Sequence, residues 1–304
     1  MSEKIVIGNA TLYNKDSLVG MMDLPDNSFD LAIVDPPYGA STQFNWELIK
    51  NHDLKGFGGA WKLASHEWDM FSVDEYLQFT IAWLTHMIRL VKPTGSIWIH
   101  STYHNSGFVN VVCQILKAEI INEVIWFKRN AFPNLSGRRL TASHETIYWI
   151  HTGKGKREYQ FNYEDVKNAD FPEDNLKTQG KQLRTVWDIP NNKKPEELEQ
   201  GGHPTQKPLR LLDRMFLISG LRGGRFLDPF MGSGSSLVAA LNYGMKPTGF
   251  EINKEYFDIA AKRVKKCSES ILPIQEISEK LEEGQLRLLD GKKKYSANNK
   301  VVRK

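Results

Sequence analysis

The chain has 304 residues, a formal net charge of +4 from 40 Lys and Arg against 36 Asp and Glu, and 40% hydrophobic residues. This is an ordinary globular composition, which excludes a collagen, a coiled coil and a wholly disordered chain. No apolar run reaches the roughly 18–20 residues of a membrane-spanning helix, and the N-terminus lacks the basic-then-apolar order of a signal peptide. We therefore expect one large α/β domain with an insertion, located in the cytoplasm.

The two cysteines, Cys113 and Cys267, form no CxxC pair, and the histidines form no cluster at metal-ligand spacing. Neither a disulfide framework nor a metal site is therefore predicted. Cys113 lies in the apolar stretch Val-Val-Cys-Gln, which indicates a small buried side chain.

Apolar runs and helical periodicity alternate through the first part of the chain. Two prolines after Val34 end the first strand, because they can neither donate to a sheet nor continue as a helix. The predicted elements are a strand over 29–34, a long loop over 39–70, a helix over 74–91, a stop at 92–95, a strand over 96–100, a helix over 107–117 and a strand over 121–127.

The regular pattern fails over 128–202, which is polar and basic, and it resumes at Pro208. Strands alternating with helices predict a doubly wound, mostly parallel sheet that binds ligands at the carboxyl ends of its strands. The predicted later elements are short strands over 145–151 and 158–163, a helix over 208–219, a strand over 225–228, a Gly/Ser turn over 230–235, a helix over 236–243, a strand over 247–251 and a helix over 253–266.

The positive charge is concentrated in two places. Residues 128–157 hold seven Lys and Arg against the single acid Glu145, and residues 291–304 hold six with no acid. Aromatic side chains are interleaved with the first cluster, so it can stack on bases as well as pair with phosphates. It predicts a nucleic-acid contact, whereas the second cluster is typical of a solvated terminus.

Asp35-Pro36-Pro37-Tyr38 directly follows the first predicted strand. The prolines fix an extended turn, which holds the Asp35 carboxylate and the Pro36 carbonyl side by side as hydrogen-bond acceptors. Tyr38 adds a flat aromatic face. This combination suits an exocyclic amino group on a flat heterocycle, because both N–H groups are accepted and the ring is stacked.

A second turn, Asp228-Pro-Phe-Met-Gly-Ser-Gly234, links a predicted strand to a helix, which lets the backbone approach a ligand closely. The motif is weak alone, because nicotinamide and flavin enzymes also use GxG turns. Leu237 stands where the third glycine of a dinucleotide fingerprint is expected. With Glu251 placed to accept ribose hydroxyls at the end of the next strand, a nucleoside without a pyrophosphate fits better than a dinucleotide.

Together these motifs resemble the S-adenosylmethionine-dependent DNA amino-methyltransferases of the β class over about residues 5–267. In that class the catalytic half comes first, the target-recognition region follows, and the cofactor half comes last. The resemblance implies a catalytic half over 1–127, a target-recognition insertion over 128–202, a cofactor-binding half over 203–267 and a basic tail over 268–304. The segment His203–Pro208 resembles the one that enters the cofactor half and contacts the methionine carboxylate.

The resemblance also implies a role for individual residues. For Asp16, a role as the N-cap of a helix is as good an interpretation as the cofactor contact that the resemblance implies. The catalytic residues would be Asp35, Pro36, Pro37 and Tyr38; the cofactor would contact Asp16, His203, Thr205, Lys207, Asp228, Phe230, Gly232, Gly234, Ser235 and Glu251; and DNA would contact Lys128, Arg129, Arg138, Arg139 and His144.

The segment from Asn130 to Arg139, with His144-Glu145-Thr146, resembles members that methylate adenine in short palindromes of the GATC and GANTC kind. Asp35 favours adenine-N6 over cytosine-N4, because the cytosine enzymes usually resemble Ser-Pro-Pro-Tyr, and an RNA amino-methyltransferase is a more distant alternative. Cytosine-C5 transfer needs an activated cysteine, which is not apparent. We expect double-stranded DNA as the partner, and single-stranded DNA, a homodimer and a cognate restriction endonuclease stay open.

Overall fold

The computed structural model describes residues 3–38, 55–56, 59–60, 72–131, 133, 138, 140–169, 171, 180–191, 194–201 and 206–271. The chain divides into two units, residues 1–268 and 269–304. The description of the second unit ends at residue 271, so the predicted basic tail lies outside the described residues, as does nearly all of the predicted loop over 39–70. None of the described helices is both long and apolar enough to cross a membrane.

Strands and helices alternate along the described chain. The strands are β1 (Glu3–Ile7), β2 (Ala10–Asn14), β3 (Phe29–Val34), β4 (Lys55–Gly56), β5 (Gly59–Ala60), β6 (Val91–Ser101), β7 (Glu119–Phe127), β8 (His144–His151), β9 (Val186–Asp188), β10 (Arg225–Asp228) and β11 (Lys246–Glu251). The helices are α1 (Ser17–Met22), α2 (Val73–Leu90), α3 (Ser106–Ile115), α4 (Tyr163–Asn168), α5 (Pro195–Leu198), α6 (Leu209–Ser219), α7 (Ser235–Tyr243) and α8 (Lys254–Ser270).

The described strands other than β4 and β5 form a sheet in the order β1-β2-β11-β10-β3-β6-β8-β7-β9. The run from β2 to β6 is parallel, β8 is antiparallel to both of its neighbours, and β1 is antiparallel to β2. This confirms the prediction of a doubly wound, mostly parallel sheet. Because β8 runs against β6, its first residues lie at the same edge as the carboxyl ends of β3, β6, β10 and β11.

Two local predictions are wrong. The stop at 92–95 lies inside β6, because the pairing with β3 shifts register between Phe29 and Leu31 and tolerates a proline there. The strand over 158–163 does not form. The side-chain amide of Asn162 donates to the carbonyls of Leu217 and Gly220, and α4 begins at the next residue.

Three buried tryptophan side chains pack together in the part of the sheet that contains β8. The rings of Trp98 on β6 and Trp149 on β8 are stacked, with centroids 4.9 Å apart, and Trp187 on β9 lies 5.8 Å from Trp98. All three are buried, so β8 is an integral strand of the sheet although its sequence lies in the polar segment. Cys113 is also buried, as predicted.

Candidate active site

The Asp-Pro-Pro-Tyr turn leaves the carboxyl end of β3 and is held from behind by α2 and α3. Tyr76 on α2 donates its hydroxyl hydrogen to the Pro37 carbonyl at 2.9 Å, and the side-chain amide of Asn105 donates to Tyr76 at 2.8 Å. The Tyr38 hydroxyl donates to Asp35 Oδ1. The turn is therefore fixed by buried hydrogen bonds as well as by its prolines.

Lys207 provides the cation that faces this turn. Its ammonium donates to Asp35 Oδ1 at 2.9 Å, to Asp35 Oδ2 at 2.8 Å and to the Tyr38 hydroxyl at 2.7 Å. Burial raises the pKa of Asp35, but Lys207 and, more weakly, His100 outweigh burial and hold it below its ordinary value. Burial, followed by the Asp35 charge, raises the pKa of Tyr38 well above its ordinary value. Asp35 is thus a carboxylate and Tyr38 a neutral phenol.

A second half-buried carboxylate, Glu145 on β8, lies beside Lys207. Its Oε1 accepts from Lys128 at 2.9 Å, and its Oε2 lies 3.6 Å from the Lys207 ammonium. His100, the penultimate residue of β6, is fully buried, and neither ring nitrogen has a hydrogen-bond partner among the described residues. Burial, reinforced by the Lys207 charge, lowers the pKa of His100 to about 4, so its imidazole is neutral.

Sequence reasoning assigned no role to His100, and it used Glu145 as the acid of a basic cluster and as part of the His144-Glu145-Thr146 resemblance without assigning it to the site. His100 carried a usable signal, because it is a polar residue at the carboxyl end of a predicted apolar strand, where this fold binds ligands. For Glu145 the signal was absent, because the antiparallel course of β8 was not predicted.

The second turn follows β10 and is shaped by Asp228. This carboxylate accepts from the Phe230 backbone amide at 2.9 Å and from the Ser236 hydroxyl on α7. Burial raises the pKa of Asp228 to about 7, although both of these hydrogen bonds lower it. Asp35 and Glu251 add a smaller upward shift, so the three carboxylates lie within electrostatic reach of one another.

The glycines of this turn have left-handed backbone conformations. Gly232 has φ of 51° and Gly234 has φ of 78°. The Gly232 amide donates to Glu251 Oε2 at 3.0 Å, which connects the turn to the end of β11. A Cβ atom on Gly234 would lie 2.9 Å from the Cβ of Ala260 on α8, so a side chain is excluded there.

Arg263 on α8, which the sequence did not single out, fixes the turn from below. Its guanidinium donates to the Ser233 carbonyl at 2.7 Å and to the Ser235 hydroxyl at 3.0 Å. The predicted cofactor residue Ser235 is therefore buried and already engaged as an acceptor. Phe230 points toward α2, where its ring centroid lies 5.8 Å from Phe79.

Residues 206 and 207 connect the two turns. The Gln206 side-chain oxygen accepts from the Ser233 hydroxyl at 3.0 Å, and the next residue is Lys207, on Asp35. Sequence reasoning assigned Lys207 to the cofactor, and in this structure its ammonium contacts Asp35 and Tyr38. His203 and Thr205 lie outside the described residues.

Asp16 is the N-cap of α1, because its Oδ1 accepts from the amides of Leu18 at 2.8 Å and Val19 at 3.3 Å. The parallel pairing of β2 with β11 sets Asn14 opposite Glu251, so Asp16 also lies at the edge of the sheet where the parallel strands have their carboxyl ends. Both interpretations of Asp16 are compatible with this position.

The residues predicted to contact DNA have different environments. Lys128 is half-buried and forms an ion pair with Glu145. Arg129 makes two 2.8 Å hydrogen bonds to Asp188. Arg138 and His144 are exposed. Arg139 lies outside the described residues. Arg129, Arg138 and His144 are thus all exposed, whereas Lys128 is half-buried and belongs to the buried cluster around Lys207.

Known proteins are similar to this chain in sequence and in fold. The DNA methylase family model N6_N4_Mtase matches residues 29–262. The Type II methyltransferase M2.LlaDCHI of Lactococcus lactis subsp. cremoris is 34% identical over 260 residues, which cover 85% of this chain and 90% of that protein. M2.DpnII of Streptococcus pneumoniae is 33% identical over 261 residues, which cover 85% of this chain and 91% of that protein.

Two solved structures share the fold. The cytosine-N4-specific PvuII DNA methyltransferase has a TM-score of 0.64 at 17% identity, and covers 90% of this chain and 92% of its own. The complex of M1.HpyAVI with S-adenosylmethionine has a TM-score of 0.55 at 23% identity, and covers 84% of this chain and 98% of its own. The match to the family model and the identity to the two curated relatives together show that the chain belongs to the DNA methylase family, and it is an S-adenosylmethionine-dependent DNA amino-methyltransferase.

Proposed function

We propose that the chain transfers a methyl group from S-adenosylmethionine to the exocyclic N6 amino group of adenine in DNA. The observation that carries this proposal is the Asp35 carboxylate, kept ionised by Lys207 on a rigid turn. It stands beside the glycine turn after β10, because β3 and β10 are parallel neighbours. An acceptor for amino hydrogens and a cradle for a nucleoside therefore lie at one edge of the sheet.

The residues present fit the cofactor. Asp228 and Glu251 are buried or half-buried carboxylates, which suit the ammonium group and the ribose hydroxyls of the ligand. Gly232 and Gly234 hold the turn in a left-handed conformation that other residues adopt only with strain, so its backbone can approach a ligand closely. The bound cofactor supplies an electrophilic methyl group on a sulfonium. We assign Phe230 to packing against it and Asp16 to its adenine ring.

Asp35 would act on the target amino group. The lone pair of this nitrogen is delocalised into the ring, which makes it a weak nucleophile. Accepting its two N–H groups at the Asp35 carboxylate and the Pro36 carbonyl favours a pyramidal nitrogen with an available lone pair. Tyr38 would stack on the base, and Pro37 keeps the turn extended. Positioning of this kind lowers the barrier by several kcal/mol.

The target atom is not accessible inside a duplex, so the base must flip out, at a cost of a few kcal/mol. Contacts with phosphates and neighbouring bases would supply binding energy for this step. We assign them to the segment 128–202 and, within it, to Arg129, Arg138, Arg139 and His144, with Lys128 acting from the buried cluster.

Two features of the relatives extend the proposal. Both curated relatives are named Type II methyltransferases, which supports a role in restriction-modification beside a cognate endonuclease. The fold neighbour specific for cytosine-N4 makes that reaction the second candidate, since it requires the same pair of acceptors. The aspartate at position 35, where the cytosine enzymes usually resemble serine, favours adenine.

The substrate class is tested by incubating the purified protein with methyl-labelled S-adenosylmethionine and, separately, unmethylated DNA, total RNA and total protein. We expect label in DNA alone, at an amount that saturates with the number of recognition sites. Label in RNA or protein and none in DNA would overturn the proposal.

Cofactor affinity is expected to weaken as the pH falls through about 7. The pKa of Asp228 is about 7 in the free protein, so below that pH the carboxyl is protonated and loses its attraction for a cationic ligand. Calorimetry should show a dissociation constant about tenfold higher at pH 6 than at pH 8. Asp228→Asn should bind weakly at both pH values. A constant that does not change with pH in the unmodified protein would contradict the assignment.

We predict that Arg138 or Arg139 reads a guanine. A bidentate reader changed to alanine should lose about 1–3 kcal/mol on the cognate duplex and much less on a scrambled one. A phosphate anchor should lose affinity on both duplexes and show a shallower dependence on salt. The measurement is binding of Arg138→Ala and Arg139→Ala to both duplexes across a salt series. Equal losses on the two duplexes for both variants would leave only a phosphate contact.

A further inference from the structure

One of the two acceptors proposed for the target amino group, the Asp35 carboxylate, is already occupied in this structure. We call its two oxygens, together with the adjacent hydroxyl of Tyr38, the amine site. The Lys207 ammonium donates to all three atoms at 2.7–2.9 Å, and its side chain is 7% exposed. An ammonium has three N–H donors, so the contact uses all of them. Its nearly equal distances to the two oxygens place the nitrogen between them.

One oxygen of a second carboxylate lies next to the filled amine site, within ion-pair distance of Lys207 but without a hydrogen bond to any residue that the structure describes. Glu145 Oε2 is solvent-inaccessible and has no hydrogen-bond partner among the described residues. It lies 3.6 Å from the Lys207 ammonium, just beyond hydrogen-bond range, whereas Oε1 is satisfied by Lys128 at 2.9 Å. Buried polar atoms normally have partners, so an orphaned carboxylate oxygen facing a buried ammonium needs an explanation.

We propose that Lys207 shifts from Asp35 to Glu145 when the target amino group enters, so that Glu145 acts through Lys207 to control access to the amine site. A shift of about 1 Å along the flexible lysine side chain brings the ammonium within hydrogen-bond range of Glu145 Oε2. The neutral imidazole of the neighbouring His100 offers a further acceptor. This inference rests on the proposed function, because the group that enters is the target amino group.

The exchange is electrostatically balanced. Lys207 leaves one half-buried carboxylate for another, so no charge is moved into an uncompensated site. Burial lowers the pKa of Lys207, but Asp35 and Glu145 outweigh burial and hold it above its ordinary value, so the lysine is charged in this structure and each carboxylate favours that charge. Asp35 keeps a cation nearby, and its oxygens become free for the amino hydrogens. Lys207 and Glu145 are thus positioning residues.

The test is a double-mutant cycle of Glu145 and Lys207, measured as equilibrium binding of a DNA duplex with S-adenosylhomocysteine present. The first duplex carries the sequence that the protein methylates, in its unmethylated form. A second duplex carries the same target base without its amino group, purine for adenine or 2-pyrimidinone for cytosine. Glu145→Gln should weaken binding of the first duplex about tenfold and leave binding of the second within twofold. In the Lys207→Met background, Glu145→Gln should change binding of the first duplex less than twofold.

A loss of the same size in both backgrounds, or no loss in Glu145→Gln alone, would overturn the inference. Glu123→Gln, at an exposed carboxylate on β7 outside the segment assigned to DNA, is the matched control and should bind both duplexes like the unmodified protein. Unmodified protein that methylates DNA while the cycle is additive would overturn only the exchange. Unmodified protein that transfers no methyl group to an amino nitrogen would overturn both.

A crystal structure of the unmodified protein with the target duplex and S-adenosylhomocysteine is a test that needs no variant. We expect the Lys207 ammonium within about 3.2 Å of Glu145 Oε2 and the target amino group on Asp35. An ammonium still between the two Asp35 oxygens, with the target base in place, would contradict the exchange.

Discussion

Changing Asp35 to alanine is expected to lower the rate of methyl transfer at saturating substrates at least a hundredfold. The carboxylate contacts the amino group as it reacts, and losing such a preorganised interaction removes several kcal/mol of transition-state stabilisation. Cofactor affinity should stay within about tenfold, since Asp35 faces the base. Single-turnover kinetics give the rate, and calorimetry with S-adenosylmethionine gives the affinity.

Asp35→Asn is the closer control, because it retains one acceptor oxygen and the size of the side chain. Both changes leave Lys207 beside Glu145, so the buried ammonium keeps one carboxylate. Complete loss of cofactor binding in a folded Asp35→Ala protein would place this residue chiefly in the cofactor site and contradict the account.

Changing Gly232 to valine is expected to weaken S-adenosylmethionine binding at least a hundredfold. A β-branched residue is strongly disfavoured at φ of 51°, so the turn must rearrange. The rearrangement breaks the 3.0 Å bond from the Gly232 amide to Glu251, the carboxylate that we assign to the ribose hydroxyls. DNA binding should persist, because neither Gly232 nor Glu251 is among the residues assigned to DNA. Calorimetry with the cofactor and a gel-shift titration with DNA measure the two effects.

Gly223→Val is the matched control for backbone strain. Gly223 also has a left-handed conformation, with φ of 76°, and a Cβ atom there would meet nothing within 4 Å. It should lower thermal stability and leave cofactor affinity unchanged. Normal cofactor affinity in a folded Gly232→Val protein would mean that the turn is structural and that the ligand binds elsewhere.

Local pattern was sufficient to predict most of the sheet and both turns. The strand at 29–34 is a continuous apolar run ended by two prolines. The strands β10 and β11 could be predicted because each is an apolar run between two segments with helical periodicity. Asp35 and Asp228 could therefore be placed at one edge from topology alone, because the carboxyl ends of parallel strands converge there.

Tertiary pairing decided the features that local pattern missed. Residues 92–95 carry a proline and a glycine and read as a stop, but the register shift against β3 keeps them in β6. The contact of Lys207 with Asp35 joins residues 172 positions apart, and no periodicity encodes it. Glu145 reached the same cluster because β8 returns antiparallel beside β6, which a polar segment gave no reason to expect.

We propose the amino group of DNA adenine as the methyl acceptor. The most direct measurement is mass analysis of nucleosides from unmethylated duplex DNA after incubation with deuteromethyl-labelled S-adenosylmethionine, with Asp35→Ala as the blank. We predict labelled N6-methyladenine with the unmodified protein and none with the variant. Labelled N4-methylcytosine would contradict the choice of adenine, and labelled 5-methylcytosine would contradict amino-group chemistry altogether.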